Sequence, residues 1–124
     1  MDVTPAIPAD RQVIDSYGDG GFHISGVAYT GSVIVFPAAV QDWPVARFAD
    51  VDDAALEPLV AADEVEILLL GCGARLELVP RELRATLRAA GIALEAMDTG
   101  AACRTYNVLL SEERRVAAAL IAVT

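Results

Sequence analysis

The segment of residues 97–107 places a carboxylate, a thiol, an arginine, a phenol and an amide within about three helical turns. It reads Met-Asp-Thr-Gly-Ala-Ala-Cys-Arg-Thr-Tyr-Asn. Cys103 would lie near the start of a helix capped by Asp98 or Thr99. Positive charge from the helix end and from Arg104 lowers the pKa of a thiol and can activate it as a nucleophile. Thiol chemistry at Cys103 is therefore one hypothesis.

The other residues that a thiol nucleophile needs are missing from this region. Catalysis requires a positioned base, and the single histidine, His23, falls in an N-terminal strand hairpin. One histidine and two separated cysteines have no metal-ligand spacing, and no Gly-x-Ser-x-Gly motif is present. We therefore expect no catalytic residue, metal or cofactor. We favour the interpretation of Cys103 as a small buried apolar side chain.

A second candidate segment is Gly71-Cys72-Gly73, which follows an apolar run. Glycines allow the backbone to turn sharply or to approach a ligand closely. The segment is not a dinucleotide-binding fingerprint, because the third glycine is missing and the next helix begins only near Pro80. A structural turn and a ligand contact are both open interpretations.

Hydrophobic patterning and turn residues predict the elements that position these segments. The predicted strands are 13–17, 22–29, 32–36, 64–70, 92–97 and 115–123, and the predicted helices are 52–62, 80–90 and 98–110. Short glycine turns join the first three strands into an antiparallel β-meander. The apolar run at 64–70 is typical of a strand that is buried on both faces. We expect Pro58 to interrupt the first helix near its start and Trp43 to cover the core.

The order of these elements predicts a single α/β domain over residues 11–124, after an extended tail over residues 1–10. A helical crossover joins strands 64–70 and 92–97, so they should be parallel. Spacing does not decide the direction of the last strand. The whole is a three-layer α/β fold that carries an N-terminal antiparallel β-meander.

In open α/β sheets, ligands bind beyond the carboxyl ends of the parallel strands. Both candidate segments should meet there, at a pocket or a contact with a partner. Its predicted residues are Gly71, Cys72, Gly73, Asp98, Thr99, Cys103, Arg104, Tyr106 and Asn107.

The helical wheel of the last helix predicts which of its residues the core requires. It places Ala101, Ala102, Thr105, Val108 and Leu109 on the inward face, with Cys103, Tyr106 and Leu110 at its edge. Arg104 and Asn107 fall on the opposite side. The competing interpretation of these two residues is structural, with Arg104 holding a carboxylate or carbonyl and Asn107 satisfying backbone groups.

Charge narrows the class of partner. The chain of 124 residues has a net charge of −9, which disfavours nucleic acid because phosphate binding needs a basic surface. All nine basic residues are arginines. Three of them, Arg81, Arg84 and Arg88, form a stripe on the outer face of one helix. The stripe is either a solvated face or a docking face for an acidic partner.

Membrane and export signals are not evident. No apolar run approaches the roughly 18–20 residues of a membrane helix. The N-terminus lacks a basic region followed by an apolar block, so we expect a cytoplasmic protein with Cys72 and Cys103 as free thiols. A composition rich in alanine and without lysine is typical of a GC-rich bacterial genome.

Several short motifs together resemble the Mth-domain family, whose biochemical activity is unknown. They are Gly71-Cys72-Gly73, Glu95-Ala96-Met97-Asp98-Thr99, Ala102-Cys103-Arg104-Thr105-Tyr106-Asn107, and Val116-Ala117-Ala118-Ala119-Leu120 after Arg114 and Arg115. The resemblance spans nearly the whole chain, including strand 32–36. The family pattern differs at two positions, with glycine in place of Glu113 and a small hydroxyl residue in place of Cys72.

The resemblance implies a central mixed, mostly parallel sheet whose last strand is antiparallel to the others. It implies no established catalytic residue and no cofactor. For the family's mitochondrial member it implies a role in assembling NADH:ubiquinone oxidoreductase through protein partners.

The leading hypothesis is therefore a non-enzymatic assembly or scaffold factor that binds an unidentified protein partner. The contact would be made by the face of Arg81, Arg84 and Arg88 or by the edge formed by residues 97–107. We expect no membrane-spanning segment, and we expect the protein to associate peripherally with a membrane complex. The alternative is a small-molecule-binding protein or thiol enzyme that uses the strand-end crevice near Cys72 and Cys103. The sequence identifies no ligand and no oligomeric state.

Overall fold

Eight strands and three α-helices form in residues 10–124, the part of the chain that the computed structural model describes. The strands are β1 (Ile14–Gly18), β2 (Gly21–Ile24), β3 (Val27–Thr30), β4 (Val33–Phe36), β5 (Ala39–Asp42), β6 (Ile67–Gly71), β7 (Ala93–Met97) and β8 (Val116–Leu120). The helices are α1 (Asp53–Ala61), α2 (Arg81–Ala89) and α3 (Thr99–Ser111). The expected tail over residues 1–10 lies outside the described residues except for Asp10. No helix of the described part is long and apolar enough to cross a bilayer.

The N-terminal strands β1, β2 and β3 form a small antiparallel sheet. The prediction of one strand over residues 22–29 was wrong, because the chain reverses between β2 and β3. Ser25 and Gly26 both have positive φ, 50° and 80°, as a tight two-residue hairpin turn requires. The predicted third strand of the meander is β4, which belongs to a different sheet.

The central sheet has five strands in the order β5-β4-β8-β6-β7. Strands β6, β7 and β8 are parallel, and β4 is antiparallel to both β5 and β8. The predicted α/β fold with a mixed sheet is confirmed, but the expectation of an antiparallel last strand was wrong. The 13 residues of α3 span about 20 Å. They carry the chain from the end of β7 back to the start of β8, which makes β8 parallel to its neighbour β6.

Both faces of the central sheet are buried. Alternate side chains along β6 serve the two faces: Leu68 and Leu70 pack in the cluster with α1 and α2, and Leu69 packs in the cluster with α3 and the small sheet. Trp43 is buried on the α1 side and its indole N–H donates to the carbonyl of Ala55 at 2.9 Å. The small sheet and α3 thus form one outer layer, and α1 and α2 form the other.

The helices begin and end close to the predicted residues. Asp52 caps α1 by accepting a hydrogen bond from the Ala55 amide at 2.8 Å. The expected interruption at Pro58 does not occur. Pro58 removes one helix hydrogen bond, but the cap and the burial of Leu56 and Leu59 hold the helix in place.

A left-handed residue separates α3 from β8. Glu113 has φ 61° in that turn, a conformation that favours glycine. The turn that the family resemblance associates with glycine therefore forms here with a glutamate.

Candidate functional site

Three loops meet where the parallel strands β6, β7 and β8 end, which we call the carboxyl edge. The Cys72 amide donates to the Met97 carbonyl at 2.8 Å, and the Ile121 amide donates to the Gly71 carbonyl at 3.0 Å. The structure thus brings the predicted Gly71-Cys72-Gly73 and 97–100 segments together. It adds Ile121, which the sequence analysis missed because it lies in an apolar run with no polar signal.

Thr99 holds these loops together. Its hydroxyl accepts a hydrogen bond from the Gly73 amide at 3.0 Å and donates one to the Ile121 carbonyl at 2.7 Å. Its own amide donates to the Gly73 carbonyl at 2.9 Å. Because Thr99 is completely buried, its hydroxyl is not accessible to a ligand in solvent.

Gly71 lies in a tight position between β8 and the start of α3. A Cβ at this position would lie 3.0 Å from the Thr99 hydroxyl oxygen and 3.1 Å from the Thr99 Cα. Backbone atoms move aside less easily than the tip of a side chain, so glycine favours the close approach of β6 to α3. This geometry favours the structural interpretation of the Gly71-Cys72-Gly73 turn.

Asp98 uses its carboxylate to begin α3. Its Oδ1 accepts a hydrogen bond from the Ala101 amide at 2.9 Å, which satisfies one of the free amides of the first helical turn. The helix end and the carboxylate therefore compensate each other within the protein.

The two thiols are buried and protonated at neutral pH. Burial raises the pKa of Cys103 from 9.0 to about 12, and the charge of Arg104 opposes this only partly. Burial also raises the pKa of Cys72, whose thiol lies 3.7 Å from the Leu70 carbonyl. The hypothesis that the helix end and Arg104 activate Cys103 predicted the opposite direction. Desolvation outweighs these charges because the thiol lies inside the core.

The inward face of α3 is rotated by about one residue, or about 100°, from its predicted position. Its buried side chains in the last three turns are Ala102, Cys103, Tyr106 and Leu110, whereas Val108 is 55% exposed. The helix packs against both the central sheet and β1, so its buried face is wide and includes Tyr106. Burial raises the pKa of Tyr106, whose hydroxyl has no partner among the described residues.

Asn107 joins α3 to β1. Its Oδ1 accepts from the Ile14 amide at 3.0 Å and its Nδ2 donates to the Ile14 carbonyl at 2.8 Å. The amide side chain therefore imitates a neighbouring strand at the edge of the small sheet. Arg104, by contrast, is exposed and has no ion pair or hydrogen bond among residues 10–124, so the expected anchoring contact of Arg104 is not present there.

The remaining candidates for acid–base or metal chemistry lie apart. His23 is exposed on β2, where its Nδ1 lies 3.3 Å from the Ser16 hydroxyl. Within the described residues no three His, Cys, Asp or Glu side chains are grouped as a metal site would require.

The arginine stripe of α2 is exposed along its whole length. Arg84 donates from Nη1 to the Leu94 carbonyl of β7 at 3.2 Å. Together with Arg88 and Arg114 it lines a shallow depression at the start of β7. The sequence analysis did not predict that Arg114 lies near Arg84 and Arg88. Arg114 precedes β8 and reaches this position only because β8 and β6 are parallel neighbours.

A second cavity, of about 470 Å³, opens at the amino edge of the sheet, opposite to the predicted crevice. Its apolar lining includes Phe36, Pro37, Val65 and Leu110, and its charged lining includes Arg11, Arg114 and Arg115. The neighbouring Arg115 pairs with Glu66 at 2.8 Å, which lowers the pKa of that exposed carboxyl. The cavity thus lies at the amino edge of the sheet, whereas hydrogen bonds and the buried Thr99 fill the carboxyl edge.

Comparisons with known proteins agree with this architecture. A model of the family described as "Protein of unknown function (DUF498/DUF598)" matches residues 14–121. An uncharacterized protein of Rhodobacter capsulatus is 44% identical over 108 residues, which cover 87% of this chain and 82% of that protein. A solved Mth938-like domain from Bordetella pertussis is 32% identical with a TM-score of 0.82, covering 98% of this chain and 90% of that domain.

One further relative has a functional name. NADH dehydrogenase [ubiquinone] 1 alpha subcomplex assembly factor 3 of Danio rerio is 41% identical over 110 residues, which cover 88% of this chain. The match spans 63% of that relative's length.

Proposed function

Since the chain belongs to the family of proteins of unknown function DUF498/DUF598, which confirms its resemblance to the Mth-domain family, we propose that it is a non-enzymatic assembly factor that acts through protein partners. The observation that carries this proposal is the 41% identity to a relative named as a complex I assembly factor. We extend it to a role in assembling respiratory complex I, with the protein in the cytoplasm and associated peripherally with that membrane complex.

The use of polar groups within the fold supports a non-enzymatic role. Asp98, Thr99 and Asn107 direct their side-chain hydrogen bonds to the backbone of this chain. Cys72 and Cys103 are buried. The residues that could have formed a reactive crevice therefore have a structural explanation.

The exposed face of α2 supports a role in docking. Arg81, Arg84 and Arg88 are all exposed, in a chain whose net charge is −9. A cationic surface favours partners that present acidic groups. The edge formed by residues 97–107 is the weaker candidate, because the side chains of Asp98, Thr99 and Asn107 are bound internally, which leaves Arg104 as its exposed charge.

Deletion of the gene in its native host tests this function. We expect the amount of assembled complex I on native gels to fall, and the wild-type gene to restore it. The same gene with Arg81, Arg84 and Arg88 changed to glutamate should restore less. Normal levels of assembled complex I in the deletion strain, with no protein co-purifying with the tagged chain, would contradict the proposal.

The alternative function, a small-molecule-binding protein or a thiol enzyme that uses Cys72 and Cys103, has less support. The convergence of three loops at the carboxyl edge favours it, but that edge is closed by hydrogen bonds and both thiols are protonated. The reactivity of these two thiols in the folded protein distinguishes the two proposals.

A further inference from the structure

Strand β7 lies at the end of the central sheet, so one of its sides has no neighbouring strand among the described residues. The Ala93 amide donates to the Glu66 carbonyl of the loop before β6 at 2.8 Å. Backbone groups in a strand alternate in direction, so those of Leu94 and Ala96 point away from β6. These two residues present the hydrogen-bonding groups that another strand would need.

Three arginines lie near the amino end of β7. Arg84, Arg88 and Arg114 line the depression at the start of β7, and none of them has an acidic partner within 4.0 Å in the described part of the chain. Glu66 also lines the depression, but its carboxylate is already bound to Arg115. Three arginines and one glutamate line the depression, so it carries a net positive charge although the chain as a whole is strongly acidic.

We propose that the outer edge of β7 binds an extended acidic segment of a protein partner, which adds to the five-stranded sheet as a further strand. Its backbone pairs with Leu94 and Ala96, and its carboxylates pair with Arg84, Arg88 and Arg114. This inference rests on the proposed function, because it requires a protein partner, and it specifies the chemistry of that partner.

The two parts of the edge have different tasks. Backbone hydrogen bonds of an added strand supply affinity without regard to sequence. Each exposed ion pair adds little binding free energy. Guanidinium groups nevertheless donate to carboxylates in a fixed geometry and repel cations, so they select acidic segments. The Arg84 contact with the Leu94 carbonyl covers the edge in the free protein, as polar side chains commonly protect open strands.

A second copy of this chain fits the edge poorly. In a second copy, β7 (Ala93–Met97) would offer these arginines a single carboxylate, that of Glu95. The other end of the sheet, β5, has no arginine in its residues Ala39–Asp42. A segment with several carboxylates therefore matches the three arginines beside β7 better than the β7 strand of a second copy does.

Binding of a synthetic peptide tests the charge requirement. The probe is a fluorescent peptide of about six residues that alternates glutamate and valine, and the comparison peptide replaces glutamate with lysine. We expect the acidic peptide alone to bind, and the double variant R88E/R114E to bind it about tenfold more weakly. The matched control R47E/R75E makes the same change in net charge at exposed arginines outside the edge and should retain binding.

Amide hydrogen exchange tests the added strand. Binding of the acidic peptide should slow exchange at Leu94 and Ala96, and N-methylation of the peptide on the side that faces β7 should abolish binding. Equal binding of both peptides, unchanged exchange at these amides, or concentration-dependent dimers by sedimentation would overturn the inference. If the native partner co-purifies equally well with R88E/R114E, the edge is not its site although the proposed function stands. If no partner exists and complex I assembles normally, the proposed function fails.

Discussion

Single side chains at the carboxyl edge explain why this region has a polar composition without a reactive site. The hydroxyl of Thr99 takes part in two hydrogen bonds to loops that are 22 and 26 residues away in the sequence. A buried polar group is stable only when it is paired. The buried polar side chains of the 97–107 segment therefore connect α3 to neighbouring strands and loops.

Replacement of Thr99 by valine keeps the shape of the side chain and removes its hydroxyl. The Gly73 amide and the Ile121 carbonyl then lose their buried partner, so we expect the free energy of unfolding to fall by about 2–4 kcal/mol in urea denaturation. Thr105→Val, at a half-buried position of the same helix, is the control and should cost less than about 1 kcal/mol. Equal losses in the two variants would contradict the role of Thr99.

Thiol labelling distinguishes the assembly factor from a thiol enzyme. Because Cys72 and Cys103 are buried with raised pKa values, the folded protein should react with iodoacetamide at neutral pH far more slowly than the urea-unfolded chain. Mass spectrometry of timed samples gives the two rates. Rapid labelling of either thiol in the folded state would revive the enzyme hypothesis.

The raised pKa of Cys103 also predicts a pH dependence of stability. Above pH 9.0 the unfolded chain loses the thiol proton, whereas the folded protein keeps it up to about pH 12. Deprotonation therefore favours the unfolded state, and stability that is fully present below pH 9.0 should decline as the pH rises toward 12. Urea denaturation should show a smaller decline over this range in Cys103→Ala than in the wild type. The same decline in both would contradict the assignment.

At the scale of elements, the small N-terminal sheet depends on α3 for its position. Asn107 pairs with both backbone groups of Ile14, and Phe22 and Ile24 of β2 pack in the same cluster as Tyr106. The small sheet thus covers one face of the central sheet together with α3.

Substitution of Asn107 by leucine should loosen this connection. The two backbone groups of Ile14 lose their partner, and we expect a loss of about 1–3 kcal/mol in unfolding free energy with faster hydrogen exchange of the Ile14 amide. Arg104→Ala, which changes an exposed neighbour, should leave both measurements nearly unchanged. An unaltered Ile14 amide in Asn107→Leu would show that packing alone holds β1.

Most element boundaries were predictable because local signals fix them. Asp52 and Asp98 cap helices, and Gly91 ends one with φ 80°. The split between β2 and β3 was not predicted, because Ser25 adopts a left-handed conformation that serine rarely adopts. The direction of β8 follows from the packing of α3 on the sheet and has no local signal.

The candidate site was predictable only in its location. The spacing of Gly71 and Asp98 after parallel strands placed both at one edge, as the structure has them. Thr99 fills this edge because its hydroxyl reaches the carbonyl of Ile121, which the sequence does not place there. The group of arginines near β7 likewise depends on the position of Arg114. Both are contacts between distant parts of the chain, which periodicity does not encode.

For the molecule as a whole, the central sheet should be the most stable region. Every residue of β8 is buried and the strand pairs on both sides, whereas β3 is an edge strand whose residues are mostly exposed. Native-state hydrogen exchange at increasing urea should show β8 amides opening only on global unfolding and β3 amides opening earlier. Equal opening free energies in both strands would contradict this order.

The central position of β8 also bears on how the protein is made. A ribosome releases β4, β5, β6 and β7 before β8, yet β8 lies between β4 and β6. Until it emerges, the β4–β5 hairpin and the β6–β7 pair remain separate, and each exposes a strand edge that can join other chains. The sheet therefore closes only after β8 has been translated, and the two separate strand pairs are open to contacts with other chains until then.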